Sequence, residues 1–361
     1  MSLKIKTVEE TKFDLISLGE TMVRFSPPGH QRIEFAPNFE AWVGGGEYNV
    51  AYALSRLGLR AGWIGGLNDS PIGSIIRNHA RAAGVNLDYT VNRKYDGMGK
   101  KDRTGFYFTE VGFGPRASVA LYDRAYSATA GIQLGEINWK KIFLEEGVRW
   151  FHTGGIFSAL SESTRAVAAE AIKVAHENGT IVSYDLNFRS KLWSSKEAIA
   201  TTIPLMPYID CLIGNEEDFQ KVLGYEVEGV DVEKGEIDTT AFKQMVKKVV
   251  KDFPNLKVVG TTLRGVKSAG VNNWSAIMWH EGTFYDGKQM QNLEIEDRVG
   301  GGDGFASGFI FGFLNNKNPQ DCVNLGVAHG AMLMTTRGDT SMITLEELLH
   351  VAEGGSARIK R

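Results

Sequence analysis

The chain has 361 residues, 43% of them hydrophobic and 23% charged, enough apolar material for one large α/β domain with an appendage, or for two domains. A formal net charge of −3 gives no electrostatic attraction toward nucleic acid or an anionic membrane, so neither is expected as a partner. There is no run of ~18 apolar residues, the first residues carry no apolar signal core, and Cys211 and Cys322 lie in apolar surroundings; a cytoplasmic protein with two buried thiols is expected.

Phe13–Leu18 reads as a first strand that ends at Gly19-Glu20. Residues 27–42 carry prolines and Gly29 without helical period, the pattern of a loop or a small irregular sheet. The stretch Val43-Gly44-Gly45-Gly46-Glu47-Tyr48-Asn49 leads into a helix that runs through Leu57 and stops at Gly58. Residues 63–65 read as a strand and 73–83 as a helix. Residues 104–111 and 118–122 alternate and are rich in aromatic and β-branched side chains, which predicts antiparallel ribbons. The chain therefore divides into a core of residues 1–26, 43–87 and 130–361, and a small β-sheet lid of residues 27–42 and 88–129.

From Arg149 strands and helices alternate. Strands are expected at 149–153, 181–185, 211–213 and 257–260, and helices at 163–178, 196–206, 216–223 and 239–252. This beat predicts a mostly parallel sheet with helices on both faces, an α/β fold. Residues 226–238 are polar and acidic, an exposed excursion. Residues 275–279 and 283–285 suggest late antiparallel strands. Helices at 321–335 and 345–352 close the chain, the last behind the capping box Thr344 to Glu347.

In open α/β sheets ligands bind beyond the carboxyl ends of the strands. The unusual residues collect there: Gly19-Glu20, Gly154-Gly155, Asp185-Leu186-Asn187-Phe188-Arg189, Gly214-Asn215-Glu216-Glu217-Asp218 and Thr261-Thr262-Leu263-Arg264-Gly265. One or two such cases are explained as turns or helix caps; five on one edge argue for a shared site. The remaining signal is Asp297-Arg298-Val299-Gly300-Gly301-Gly302-Asp303, followed by an apolar run to Leu314 that suits a buried helix. Gly308 and Gly312 weaken that helix. Glycine amides at a helix start favour an anion, and Asp303 sets a carboxylate beside it, fit to accept a proton from a hydroxyl. The competing reading is a glycine-rich turn with Asp303 as the helix N-cap.

Some patterns are set aside. The run from Gly282 to Gly287-Lys288 has phosphate-loop spacing without the following Ser or Thr, and Asp286-Gly287 reads as a hairpin turn. His152 is expected in the core. No zinc or dinucleotide fingerprint is present.

The stretch 297–303 resembles the Asp-Thr-x-Gly-Ala-Gly-Asp signature of the ribokinase (PfkB) family of sugar kinases, with Arg298 for Thr and Gly301 for Ala. Gly44 to Asn49 resembles that family's Gly-Gly-x-x-x-Asn substrate motif. Asn215 to Asp218 is similar to its Asn-x-x-Glu motif, with Asp for Glu; alone it also reads as an acidic first helical turn. Asp185-x-Asn187-x-Arg189 with Leu192-Trp193 resembles 2-keto-3-deoxygluconate kinases; alone it also reads as an Arg–Asp pair that ties down a loop.

The resemblance implies a ribokinase-like fold, ATP as cosubstrate and Mg2+, with a monovalent cation such as K+ as an option. It implies Asp303 as catalytic base, with Gly300, Gly301 and Gly302 holding the phosphoryl group. Gly44, Gly45, Asn49, Tyr107 and Arg189 would bind a sugar acid. Asn215, Thr262, Arg264, Gly265, Ala328 and Ala331 would bind ATP, and Asp218 and Glu217 would order the metal through water. Relatives often carry an Arg for the substrate acid where this chain has Thr109. Arg189, Arg103, Arg124 or Arg24 must then serve. The expected reaction is phosphorylation of the terminal hydroxyl of 2-keto-3-deoxygluconate; a fructokinase or other ketose kinase is the near alternative, and a non-catalytic sugar sensor the distant one. The lid sheet is expected to join subunits in a homo-oligomer.

Overall fold

The computed structural model describes residues 3–225 and 239–355; the acidic excursion at 226–238 lies outside them. The chain opens with β1 (Phe13–Leu18), β2 (Met22–Ser26), β3 (Glu40–Gly44), α1 (Gly46–Arg56), β4 (Ala61–Ile64), β5 (Gly66–Asn68) and α2 (Pro71–Ala82). Then come β6 (Val91–Arg93), β7 (Phe106–Glu110), β8 (Val119–Asp123) and β9 (Val148–Gly154). The regular alternation runs α3 (Gly155–Ala159), α4 (Glu162–Glu177), β10 (Ile181–Asp185), α5 (Ser195–Thr202), β11 (Cys211–Gly214), α6 (Glu216–Leu223) and α7 (Thr239–Asp252). Four strands follow, β12 (Val258–Ser268), β13 (Val271–His280), β14 (Thr283–Asp286) and β15 (Met290–Glu294), then α8 (Gly301–Leu314), α9 (Pro319–Leu333) and α10 (Leu345–Glu353).

The main sheet runs in the order β14-β13-β12-β11-β10-β9-β1-β4, with β15 also on β13. Pairings from β4 to β12 are parallel, and those of β13 with β12, β14 and β15 are antiparallel. Successive strand residues point to opposite faces. Leu15, Trp150, Ile181 and Val258 pack with α1, α8 and α9, while Ile16, Phe151, Val182 and Val259 pack with α4, α6 and α7. Both faces are buried, which is why these strands read as nearly continuous apolar runs. No helix among the described residues is long and apolar enough to cross a membrane.

The glycines that weaken the helical pattern of α8 are packing residues. A Cβ on Gly308 would stand 2.3 Å from the Leu325 carbonyl oxygen, and one on Gly312 2.9 Å from the Cys322 Cα. They let α8 and α9 touch backbone to backbone. His152 is buried and shares the Ser183 hydroxyl with Trp150, a core histidine as expected.

The small sheet is β3-β2-β7-β8, antiparallel except between β2 and β7. It draws β2 from inside the segment 1–26 assigned to the core. Conversely β6, inside the segment assigned to the lid, pairs in parallel with β5 of the core. Both pairings join segments distant in sequence, which local pattern does not register. The placing of residues 261–265 beyond a strand end at 260 is also corrected: they lie within β12, because pairing with β13 continues through Arg264 opposite Trp274 to Ser268. The hairpin turn sits at Glu281-Gly282, both at positive φ and joining β13 to β14, not at Asp286-Gly287.

Candidate active site

A cleft of about 630 Å³ opens between the ends of the parallel strands and the small sheet. Asp185 and Gly214, the last residues of β10 and β11, line its floor, and Tyr107, Thr109, Val119 and Tyr122 line the facing wall. Gly45, Asn49, Arg189, Asn215, Glu217, Asp218, Thr262, Arg264, Gly300, Gly301, Gly302 and Asp303 also reach it, so most residues singled out from sequence are brought together. Gly44, Gly265, Ala328 and Ala331 do not line it; the two alanines are buried in the core.

Gly300, the N-cap of α8, holds φ 86°, a left-handed backbone that favours glycine. No side chain caps this helix, so its first amides remain for a ligand. Around Gly302 nothing lies within 4 Å of where a Cβ would stand: the turn faces open cleft. The residues present therefore fit a phosphoryl group. Asp303, the third helical residue, is not the N-cap. Its Oδ2 accepts a hydrogen bond from Asn49 Nδ2 at 2.7 Å. Burial pushes its carboxyl up to about 7, against the Asn49 hydrogen bond, with Asp339 raising it and Arg189 lowering it. A carboxylate poised near neutrality suits proton transfer at ordinary pH.

The other acidic groups divide clearly. Asp218 is 6% exposed; Oδ1 accepts from Phe188 N at 2.8 Å and Oδ2 from Asn215 N at 2.9 Å, the capping box of α6. It is thus a structural anchor of the 185–189 loop. Among the described residues no three His, Cys, Asp or Glu side chains are grouped to hold a metal directly. Glu216 and Glu217 remain as carboxylates lining the cleft. Asp185 lines the cleft with its pKa raised well above the usual carboxylate range by burial and by Asp218, Asp303 and Glu47. Glu47 is 4% exposed, its Oε2 has no hydrogen-bond partner among the described residues, and burial pushes it up to about 8. Asn187, two residues after Asp185, holds φ 33°, a conformation uncommon outside glycine and concentrated at functional sites.

Sequence reasoning missed a buried hub behind the cradle. Arg24 Nη1 donates to Asp339 Oδ1 at 2.5 Å and Nη2 donates to Asp297, while the Tyr107 hydroxyl donates to the other Asp339 oxygen. All four side chains are nearly inaccessible. The hub ties β2 and β7 of the small sheet to the loop that carries the glycines. It also commits Arg24, which is therefore corrected as an acid-binding candidate. Arg103 is corrected too: it pairs with Asp123 at 2.7 Å and does not line the cleft. Arg124 lines the cleft but is held by Glu20 at 2.5 Å. Arg189 lines it with no ion pair among the described residues, its one hydrogen bond going to the Phe188 carbonyl at 2.8 Å. The reading of Arg189 as an Arg–Asp loop tie fails on that geometry. Asp339 had no sequence signal of its own, since Thr-Arg-Gly-Asp is an unremarked turn.

Residues 12–345 match the pfkB family carbohydrate kinase domain. Over 348 residues the chain is 33% identical to a 2-dehydro-3-deoxygalactonokinase of Haloferax volcanii, covering 96% of this chain and 99% of that one. It is 26% identical to a 5-dehydro-2-deoxygluconokinase of Clostridium perfringens, covering 94% and 93%. A crystal structure of 2-dehydro-3-deoxygluconokinase from Thermotoga maritima superposes with a TM-score of 0.87 at 37% identity, covering 94% and 99%. The parallel sheet, the glycine cradle with Asp303 and a match across nearly the whole length agree: this chain belongs to the pfkB family of carbohydrate kinases.

Proposed function

We propose that the protein transfers a phosphoryl group from ATP to the terminal hydroxyl of a 2-keto-3-deoxy sugar acid, 2-keto-3-deoxygluconate first. The product would be 2-keto-3-deoxy-6-phosphogluconate. The observation that carries the reading is Asp303, hydrogen-bonded by Asn49 and set in the first turn of an uncapped glycine helix. Asp303 takes the proton of the acceptor hydroxyl. The amides of Gly300 to Asp303 hold the equatorial oxygens of the phosphoryl group and stabilise their charge. Magnesium bound to the nucleotide neutralises charge on the outer phosphates when present.

The sugar sits between Asp303 and the small sheet. Gly46 leaves room for it: a Cβ there would be 3.5 Å from Asp303 Oδ1. Arg189 is the cation available near Asp303 for the substrate carboxylate. Thr109, buried and without a partner for its hydroxyl among the described residues, gives the wall a neutral hydrogen-bonding group where the family resemblance implies an Arg in several members. The names of the relatives include a galactonate-type and a 5-keto acid, so the hydroxyl pattern of the acid is the open variable. A coupled ADP-release assay over 2-keto-3-deoxygluconate, its C4 epimer, 5-keto-2-deoxygluconate, fructose and ribose tests the reading. The 2-keto-3-deoxy acids should be preferred by kcat/KM. A preference for fructose or ribose would overturn the sugar-acid reading while leaving the kinase intact; ADP from none would overturn both.

A further inference from the structure

Besides the buried hub, the small sheet meets the core at a second place, beyond the end of β7 where the chain turns back into β8. Phe113 and Arg116 exchange two backbone hydrogen bonds of 3.0 Å around Gly114-Pro115, and Arg116 pairs with Glu110 at 2.6 Å, so this turn is built. Gly114 holds φ 57°, and its carbonyl oxygen accepts a hydrogen bond from Ala269 N at 3.0 Å. Ala269 belongs to the core. β12 and β13 pair from Val258 opposite His280 out to Ser268 opposite Val271, which leaves Ala269-Gly270 as a two-residue tip. The register is irregular between Val266 and Ser268, a feature that bends a hairpin arm. The arm is braced by the segment that follows β15's start: Lys267 Nζ donates to Asn292 Oδ1 at 2.5 Å, and the Gly270 carbonyl accepts from Ile295 N at 2.9 Å. Two residues later that segment reaches Asp297 of the hub. An amide at a hairpin tip has no partner in its own ladder and ordinarily faces water. Here it meets a carbonyl from a different sheet. Both segments wall the cleft: Ser118 and Val119 follow the first turn, and Val266 and Trp274 stand on the arm.

Resting on the kinase reading above, we propose that the β12–β13 hairpin is a latch arm for the small sheet: the bond between Ala269 and Gly114 forms as the sheet closes over sugar and nucleotide, and breaks to release the products. The two fastenings differ in kind. In the hub, Arg24 is buried against Asp297 and Asp339, and parting such a pair strands charge away from water. That end stays fixed. At the tip, the partners are neutral backbone groups that return to water when they separate. One such bond shifts an open–closed equilibrium by about 2- to 10-fold, enough to favour closure and little enough to be undone in each turnover. The sheet therefore turns about the hub and is caught at Ala269. With both ends held, the cleft is covered on the side of the arm, and water is kept from the phosphoryl group in transit.

Two experiments test the latch. The first is hydrogen–deuterium exchange of the parent chain at the Ala269 amide, alone and with 2-keto-3-deoxygluconate plus a non-hydrolysable ATP analogue. The ligands should slow exchange at Ala269 at least about twofold. No slowing there would overturn the proposal. The second is the double change Gly114→Cys with Ala269→Cys. A backbone hydrogen bond between two segments sets their Cα atoms about 5–6 Å apart, within reach of a disulfide. A side chain at Gly114 meets no atom within 4 Å, and the native Cys211 and Cys322 are buried and do not compete. Oxidation should cut steady-state ADP release at least about 10-fold, reductant should restore it, and an analogue bound before oxidation should survive desalting. Failure of the crosslink to form, or an oxidised enzyme as fast as its reduced form, would overturn the latch. If the cysteine pair disturbs folding, the exchange measurement on the parent chain decides alone. Exchange and retention are read without turnover. ADP release from no sugar by the parent chain would sink the kinase reading and leave the latch to its own result.

Discussion

Two carboxyl groups of the site carry opposite consequences for pH. As the proposed base Asp303 would work only when ionised, and its carboxyl is pushed up to about 7. Thus kcat/KM for the sugar should rise with pH through about 7 and level off above it, as seen in a pH–rate profile. A limb near pH 4 would mean that Asp303 is as solvated as an ordinary aspartate. Glu47 does not touch the reacting atoms, yet it is buried and raised to about 8. A group that holds its proton more tightly folded than unfolded stabilises fully below its unfolded value, here the usual 4.5, and that stability is lost as pH rises through about 8. Glu47→Gln removes the titration while keeping the shape. Its melting temperature relative to the parent should therefore be higher at pH 9 than at pH 5, by the equivalent of on the order of a few kcal/mol. An identical difference at both pH values would contradict a buried Glu47 whose Oε2 has no partner among the described residues.

Glycines within one helix play different parts, and α8 allows a direct comparison. Ala for Gly in an open helix interior gains about 0.5–1 kcal/mol. At Gly308 the new methyl would meet the Leu325 carbonyl oxygen at 2.3 Å, so α8 and α9 must separate. Gly308→Ala should lose about 1–3 kcal/mol in chemical denaturation instead of gaining. Gly302→Ala meets no atom within 4 Å and should keep its stability, but its methyl points into the space of the phosphoryl group, so turnover should fall. If Gly308→Ala is stabilising, or Gly302→Ala fully active, the packing and the cradle are misplaced. The helix itself was legible from its apolar run; the reason for its glycines was not, because it lies in a second helix. Likewise α6 and β10 match their sequence bounds to the residue, since local signals set them: a capping box at Asn215 and Asp218, and a run opened by the β-branched Ile181 and Val182. β12 was cut short because only its partner strand carries it on to Ser268.

At the scale of the molecule, alternation of strand and helix was enough to read the parallel sheet, and the cluster of odd residues at strand ends was enough to read the cleft. What escaped were links between distant parts of the chain. Arg24 and Asp339 are separated by 315 positions and Tyr107 and Asp339 by 232, so no window on the sequence shows that they meet. Those links attach the small sheet to the loop of the cradle, so a closure of the sheet over a bound sugar would carry over to the residues around Asp303. Closure of this kind would exclude water from the phosphoryl group. Every part of this account converges on one carboxylate. The most direct measurement is single-turnover ADP formation by Asp303→Asn at saturating sugar acid and ATP, alongside ATP titration of the same variant. The account predicts a loss of about 10²–10⁴-fold in rate with ATP affinity nearly unchanged. A rate within a few-fold of the parent, or a loss of ATP binding to match the loss of rate, would contradict it.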